Sequence, residues 1–314
     1  MASKGKLSSP QLVKQLNGVV DANTVVSYYC KSVIEQKDIK LAALENLPAH
    51  QNIARKHAQH WQGSVEPKIQ QCVIDTMNFS SAFLGKYDHL NSLIDQMKNG
   101  NQQGKDKFTT TIGTLTVQLD AVVGHAKNVT TEVGQFSQTL NQDTRNFKSD
   151  SEEAQTKIIG DNGDLKALQD QLDAINKAID RDRRLIAGGI LICWLAVAGA
   201  IDLKKQEDAK HDVDLKMALE KQELMALNAG KSHIDGFVGS MVPVSSALTS
   251  LERAWASLKS DFEEVTTELR SLSTTSAAGY LGPLLETAKK DWDVALDRAK
   301  QLQATNEQLQ RISL

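Results

Sequence analysis

The chain has 314 residues, only five prolines and an aromatic content of 5%, and its formal net charge is −3 with an isoelectric point near 6.2. Too few aromatic side chains are present to fill the thick interior of a compact α/β domain, so the composition favours long helices instead. Like charges do not cluster beyond a few residues, which excludes nucleic acid or another polyanion as an expected partner.

The N-terminal third of the chain is predicted to be helical. Ser9 and Pro10 form a start signal, because a capping serine precedes a proline in the first turn. Apolar residues follow at helical spacing up to Pro48, and a short, less regular stretch then carries three histidines. Another helix is predicted to begin near Pro67 and to end at the sequence NGNQQG, residues 99–104.

The strongest helical pattern begins at Phe108. Apolar or small residues there recur in alternating steps of four and three, which indicates the heptad seam of a coiled coil. The series is Phe108, Ile112, Leu115, Leu119, Val122, Ala126, Val129, Val133, Phe136 and Leu140. It continues more thinly to Ile158 and strongly again from Leu165 to Ile179, and a helix over residues 106–182 would be roughly 110 Å long. Gly160 and Gly163, in the sequence GDNG, are hinge candidates because only there would this helix kink or open.

A second long seam runs over residues 213–272. It contains Pro243, which is expected to bend the helix without ending it and is a further hinge candidate. Ser271 to Pro283 (SLSTTSAAGYLGP) break the pattern and are predicted to form a loop. A last helix follows, with one apolar face formed by Leu285, Ala288, Trp292, Ala295, Ala299, Leu302 and Leu309.

These patterns predict an all-α fold, an elongated bundle of about five helices of which two are very long. Helices of this kind cannot bury their apolar stripes alone and must pack lengthwise. Because sequential helices with a short connection are neighbours, the chain between the two longest helices is expected at one tip of the bundle. We therefore expect a helical tail built from residues 1–182 and 203–314, and a small hydrophobic head of residues 183–202.

The head contains the apolar segment Leu185–Ile201 (LIAGGILICWLAVAGAI), which carries no charge. As a helix it would span roughly 25 Å, at the short limit for a hydrocarbon core of about 30 Å. The residues expected to enter the membrane are Leu185, Ile186, Ile190, Leu191, Ile192, Trp194, Leu195, Val197 and Ile201. The flanking residues suited to lipid headgroups are Arg181, Arg183, Arg184, Lys204 and Lys205. Glycines that would permit a tight hairpin, and are hinge candidates, are Gly188, Gly189 and Gly199.

Three interpretations of the apolar segment remain open. It is a single-pass anchor, a buried hairpin in the core of a soluble protein, or an element that is hidden in the soluble form and inserts on membrane contact. A straight span would separate the two heptad seams across the bilayer, where they could not pair. A bundle tip, in turn, has little protein to cover so large an apolar patch. Conditional insertion is therefore favoured.

This arrangement resembles the cytolysin A superfamily of α-helical pore-forming toxins, which includes the haemolysin BL and non-haemolytic enterotoxin components and their Gram-negative tripartite relatives. The resemblance is architectural, covers nearly the whole chain and rests on no short motif. It implies a soluble, haemolytic or cytolytic protein that covers its head against the bundle or in a homo-oligomer. The head then enters a target-cell membrane as protomers and other toxin components assemble into a pore.

The chain departs from this family in its head. Pore-lining members have two apolar segments or an amphipathic pair, whereas this chain has one short segment without a polar stripe. Folded as a hairpin, it would reach only about half the thickness of the hydrocarbon core. We therefore expect it to dock in one leaflet while partner proteins complete the pore. The alternative function is a single-pass coiled-coil structural or tethering protein.

The N-terminal sequence MASKGKLSSPQ lacks the apolar stretch of a secretory signal. Secretion is therefore expected to use another route, as in several of the Gram-negative relatives. The three cysteines are far apart and odd in number, which predicts free thiols and neither a disulfide framework nor a CxxC metal site.

No sequence pattern predicts an enzyme, a cofactor or a metal site. His50, His57 and His60 have no carboxylate or cysteine nearby at ligand spacing, so solvated histidines on a short helix are predicted. GDNG lacks the ending of a phosphate-binding loop, and no GxSxG or HExxH motif occurs. Trp255 and Trp292 fall on heptad seams and are predicted to pack in the core.

Overall fold

The computed structural model describes residues 6–39, 41, 44–159 and 212–312. All regular secondary structure in these ranges is helical, which confirms the predicted all-α fold. The elements are α1 (Gln11–Glu35), α2 (Leu47–His60), a π-helical turn (Trp61–Val65), α3 (Glu66–Lys98), α4 (Gln102–Ile159), α5 (Asp212–Ser271) and α6 (Thr274–Ile312). Helices α4 and α5 have 58 and 60 residues, so the prediction of two very long helices is confirmed as well.

The heptad seam of α4 is the face that this helix buries. Of the ten seam residues from Phe108 to Leu140, only Val122 is not fully buried. On α5 the predicted seam from Leu248 to Leu269 is buried in the same way. Burial of apolar surface stabilises a fold by about 25 cal/mol per Å², which makes these stripes the main force that holds the helices together.

The described residues divide into two compact units. The five-helix unit comprises residues 6–23, 64–134 and 243–312, and contains α3, α6 and parts of α1, α4 and α5. The four-helix unit comprises residues 24–39, 41, 44–63, 135–159 and 212–242, and contains α2 and the remaining parts of α1, α4 and α5.

The turn between α3 and α4 lies where the sequence predicts it. Gly100 has a φ angle of 78°, a left-handed conformation that glycine adopts without strain. Asn101 caps α4, because its Oδ1 accepts hydrogen bonds from the backbone N–H groups of Gln103 at 3.0 Å and Gly104 at 3.3 Å.

The predicted loop from Ser271 to Pro283 is wrong. Only two residues separate α5 from α6, and Ser273 caps the new helix by accepting a hydrogen bond at its Oγ from the backbone N–H of Ser276. The first turns of α6 already pack in the core through Ala277, Ala278 and Leu281. This burial outweighs the low helix propensity of two glycines and a proline in the same stretch.

Gly236 marks a close approach of α5 to α1 in the four-helix unit. A methyl group added at its Cα would overlap the buried ring of Tyr29. We expect Gly236→Ala to lower the free energy of unfolding by about 1–3 kcal/mol, because the ring must move within a packed core. Gly124→Ala is the matched control: nothing lies within 4 Å of the added carbon, so a gain of about 0.5–1 kcal/mol is expected. Equal effects in urea denaturation would contradict this account.

Candidate functional site

Almost all residues predicted to act at the membrane lie outside the described residues. They comprise the insertion residues of the apolar segment, its basic flanks between residues 181 and 205, and the hinge candidates Gly160, Gly163, Gly188, Gly189 and Gly199. Their roles stay predictions, as does the boundary of the head. None of the described helices is both long and apolar enough to cross a membrane.

Pro243 is the one predicted site residue that the structure describes. Helix α5 continues through it from Asp212 to Ser271, so the expectation that this proline does not end the helix is confirmed. Pro243 is exposed, and the preceding Val242 is 71% exposed. Along α5, the division between the two units falls between these two residues. A hinge at Pro243 remains a prediction.

The described residues also contain a group of ionisable side chains that the sequence analysis missed. His50 and His57 on α2 bond through Nδ1 to Asp150 and Asp143 on α4, each at 2.7 Å. The two histidines are seven residues apart and so are the two aspartates, so the pairs repeat along facing stripes of two antiparallel helices. These four residues are called the His–Asp ladder below.

His60 is exposed as predicted, but the ladder overturns the prediction of solvated histidines for His50 and His57. Their side chains are 23% and 25% exposed, and their partners lie 100 and 86 residues further along the chain. A signal for the aspartates was present in the sequence. Asp143 and Asp150 occupy the two positions at which the α4 seam lacks an apolar residue, between Leu140 and Ala154. A polar residue on such a seam marks a specific interhelical partner.

The two carboxyl groups of the ladder are more buried than the imidazoles. The Asp143 and Asp150 side chains are 1% and 3% exposed. Burial raises the pKa of both carboxyl groups; the hydrogen bonds and charge of His57 and His50 act against that rise. Oδ1 of Asp143 has no hydrogen-bond partner among the described residues. The histidines therefore balance only part of the cost of burying the negative charges of Asp143 and Asp150.

Other buried polar atoms of the four-helix unit also lack a partner within the described part of the chain. They are Trp61 Nε1, Thr144 Oγ1, Asn228 Nδ2 and His233 Nδ1. Burial lowers the pKa of His233 accordingly. An unsatisfied buried group costs about 1–3 kcal/mol, so the polar interior makes this unit less stable than its apolar packing alone would.

A third histidine–aspartate pair lies in the five-helix unit. His125 bonds through Nδ1 to Asp75 at 2.6 Å, and the two side chains are 27% and 18% exposed. The contact has the same chemistry as the ladder, but its carboxylate is closer to solvent. Within the described ranges, neither this pair nor the ladder belongs to a group of three or more potential ligands that could hold a metal ion.

The described part of the chain is an all-α protein of long helices packed along heptad seams, and one uncharged apolar segment lies between the two longest helices in the sequence. Residues 6–182 match the sequence profile of the Bacillus haemolytic enterotoxin (HBL) family. The match covers more than half of the chain, and the chain belongs to this family. The family resemblance inferred from the sequence is thereby confirmed. No curated protein sequence matches the chain.

Solved structures of toxin components share the fold. The Bacillus cereus HblL1 toxin component has a TM-score of 0.74 at 16% identity, over 96% of this chain and 98% of its own. Soluble SmhA of the tripartite α-pore-forming toxin Smh from Serratia marcescens has a TM-score of 0.71 at 14% identity, over 96% and 97%. The AhlB pore of the tripartite toxin AHL from Aeromonas hydrophila has a TM-score of 0.68 at 18% identity, over 95% and 97%.

Proposed function

We propose that this chain is a component of a haemolytic α-pore-forming toxin, which docks on target-cell membranes through the apolar segment and assembles with partner proteins into a pore. The observation that carries the proposal is membership of the haemolytic enterotoxin family over residues 6–182. The proposed action is physical insertion and requires no catalytic residue.

The pairing of α4 with α5 supports insertion as a hairpin over a single straight span. In the five-helix unit Lys105 Nζ donates to the backbone O of Leu272, and Lys259 pairs with Asp120 at 2.6 Å. Residue numbers therefore decrease along α5 as they increase along α4, so the two helices are antiparallel in this unit. The four-helix unit shows the same antiparallel order, with contacts between Phe136 and Phe237 and between Ser151 and Asn228. A straight span continuous with both helices would separate these pairs across the bilayer.

We further propose that the chain is secreted in a soluble form, which converts to a membrane-bound one. The related protein AhlB has solved structures both in a soluble form and as a pore, which supports the conversion. In the soluble form a homo-oligomer or the bundle covers the apolar segment, because an exposed patch of this size drives association. The short segment docks in one leaflet, and other toxin components complete the pore.

Cys193, in the middle of the apolar segment, allows a direct test of membrane docking. Cys30 and Cys72 are buried, and burial raises the pKa of the Cys72 thiol to about 12. Because Cys193 is itself expected to be covered in the soluble form, a maleimide dye is attached to it in urea, on a variant with Cys30→Ala and Cys72→Ala, and the chain is then refolded. An environment-sensitive dye on Cys193 is expected to brighten when liposomes are added. A quencher confined to the outer leaflet should then reduce the emission, and one confined to the inner leaflet should not.

Control experiments distinguish membrane docking from the depth to which the apolar segment inserts. Cys193→Ser in the same variant should take up little dye under the same conditions. No brightening with liposomes would contradict membrane docking, whereas quenching from the inner leaflet would contradict only the one-leaflet depth. Purification without detergent distinguishes the proposal from the single-pass alternative, because a permanent membrane span would require detergent throughout.

A further inference from the structure

Helix α2 is attached to the four-helix unit mainly through polar and small groups. Its buried apolar side chains are Leu47, Ala54 and Ala58, and the two alanines contribute little apolar area. Its buried Gln51 bonds the backbone of the loop that precedes the helix. Its contacts with α4 include the two histidine–aspartate pairs of the ladder, called rungs below, and a ring contact between His60 and Phe136 at 5.8 Å. The protonation of four side chains therefore weighs heavily in whether α2 stays docked.

The uptake of one proton changes the net charge of each rung. With a neutral imidazole and an ionised carboxyl group the rung carries one negative charge, most of it on a buried aspartate. One added proton makes the rung neutral overall, whichever group holds it. His50 also acts on Asp143 of the neighbouring rung, so the rungs are electrostatically coupled. A buried net charge disfavours docking, and its removal favours it.

Among the described residues, few other charged groups offset the negative charge of Asp143 and Asp150. Apart from the ladder histidines, Glu153 on α4 is the one group that shifts the pKa of either carboxyl group, and it raises that of Asp150. On the described parts of α1 and α5, Lys31 pairs with Glu35 and Lys231 with Asp235 on their own helices, and burial lowers the pKa of His233.

We propose that the His–Asp ladder is a proton-operated clasp, through which α2 docks more firmly on α4 when each rung gains a proton. The carboxyl pKa values are raised in the docked state above their ordinary value of 3.8. At pH values between 3.8 and the raised pKa values, the docked state therefore binds more protons than the undocked state. The resulting stabilisation is present at the acidic end and is lost as the pH rises through the raised values.

The clasp acts on the helices next to the apolar segment in the sequence. Within the four-helix unit, α4 ends at Ile159 and α5 begins at Asp212. Acidification should hold α2 against this pair, and a higher pH should release it. The inference concerns the four-helix unit itself and does not depend on the proposed membrane function.

Hydrogen exchange of the full chain, read by mass spectrometry on peptides from α2, tests the clasp. From about pH 7 to about pH 4, after correction for intrinsic exchange rates, the wild-type opening constant of α2 should fall by at most about tenfold per pH unit for each proton that the docked state binds beyond the undocked state. The double variant Asp143→Asn with Asp150→Asn keeps an acceptor for each histidine but cannot ionise. It should exchange more slowly than the wild type at the neutral end and lack the slowing of exchange on acidification that the wild type shows; any pH dependence that it keeps belongs to the histidines of the unit.

The His125–Asp75 pair provides the matched control. Asp75→Asn makes the same chemical change at a more exposed contact of the five-helix unit, and should leave the exchange of α2 as in the wild type. If the double variant does not fold, Asp150→Asn alone should halve the pH dependence of α2 opening. A wild-type α2 without pH dependence, or Asn variants with the full wild-type dependence, would overturn the proposal.

Discussion

Replacement of Ile190 and Leu195 by aspartate in one chain should abolish binding to liposomes and leave a folded helical bundle. Both side chains belong to the uncharged apolar segment. An aspartate at the centre of a membrane helix costs about 2.5–3.5 kcal/mol on insertion scales. Two of them cost about 5–7 kcal/mol, which corresponds to a loss of about 10⁴- to 10⁵-fold in membrane binding.

Liposome flotation and haemolysis of red cells measure this loss, and far-UV circular dichroism reports the fold. Val294→Asp is a suitable control, because Val294 is 59% exposed on α6 and the change adds a charge outside the apolar segment. Exchange of Ile190 for leucine and of Leu195 for isoleucine keeps the apolar character and should preserve binding. Undiminished binding of the double aspartate variant would contradict insertion through this segment.

Trp292→Ala should destabilise the five-helix unit by about 3–5 kcal/mol, the range found for aromatic residues removed from a core. Trp292 is 1% exposed and its ring lies 4.9 Å from that of Phe79, centroid to centroid. Its Nε1 donates a hydrogen bond to the backbone O of Leu7 at 2.8 Å. Three more rings complete the cluster, those of Phe83, Trp255 and Phe262.

Urea denaturation of a graded set of variants separates ring packing from the hydrogen bond. Trp292→Phe keeps much of the aromatic packing but leaves the Leu7 carbonyl without its donor, so a smaller loss of about 1–3 kcal/mol is expected. Val294→Ala, on the exposed side of the same helix, should change stability by less than about 0.5 kcal/mol. A Trp292→Ala variant as stable as the Val294→Ala control would show that the cluster does not hold this unit together.

The heptad seam explains why much of the fold could be predicted. Leu119 and Phe262 each belong to a series of apolar residues that recur every three or four positions. A few consecutive turns of sequence are therefore enough to identify the buried face of the helix. The same local reasoning failed at Ser271 to Pro283. The helix-breaking preferences there amount to about 1 kcal/mol for each glycine and about 3 for the proline, and burial along the whole apolar face of α6, from Ala277 to Leu302, outweighs them.

The His–Asp ladder shows the opposite case. His57 and Asp143 are 86 residues apart, and the sequence around each residue does not indicate which residue it contacts. The gap that Asp143 leaves in the α4 seam indicated that a polar partner was needed, but not which helix supplied it. That partner depends on α2 folding back against α4, which is a property of the tertiary arrangement.

By itself the sequence determined where the long helices form, which faces they bury and where the apolar segment lies between them. These features depend on residues within a turn or two of each other, where propensity and apolar periodicity act. Only the tertiary structure decided which histidine meets which carboxylate, and that α6 starts directly after Ser273. Contacts between distant segments set the burial of Asp143 and Asp150, and burial sets the energy of their charges, which no local pattern contains.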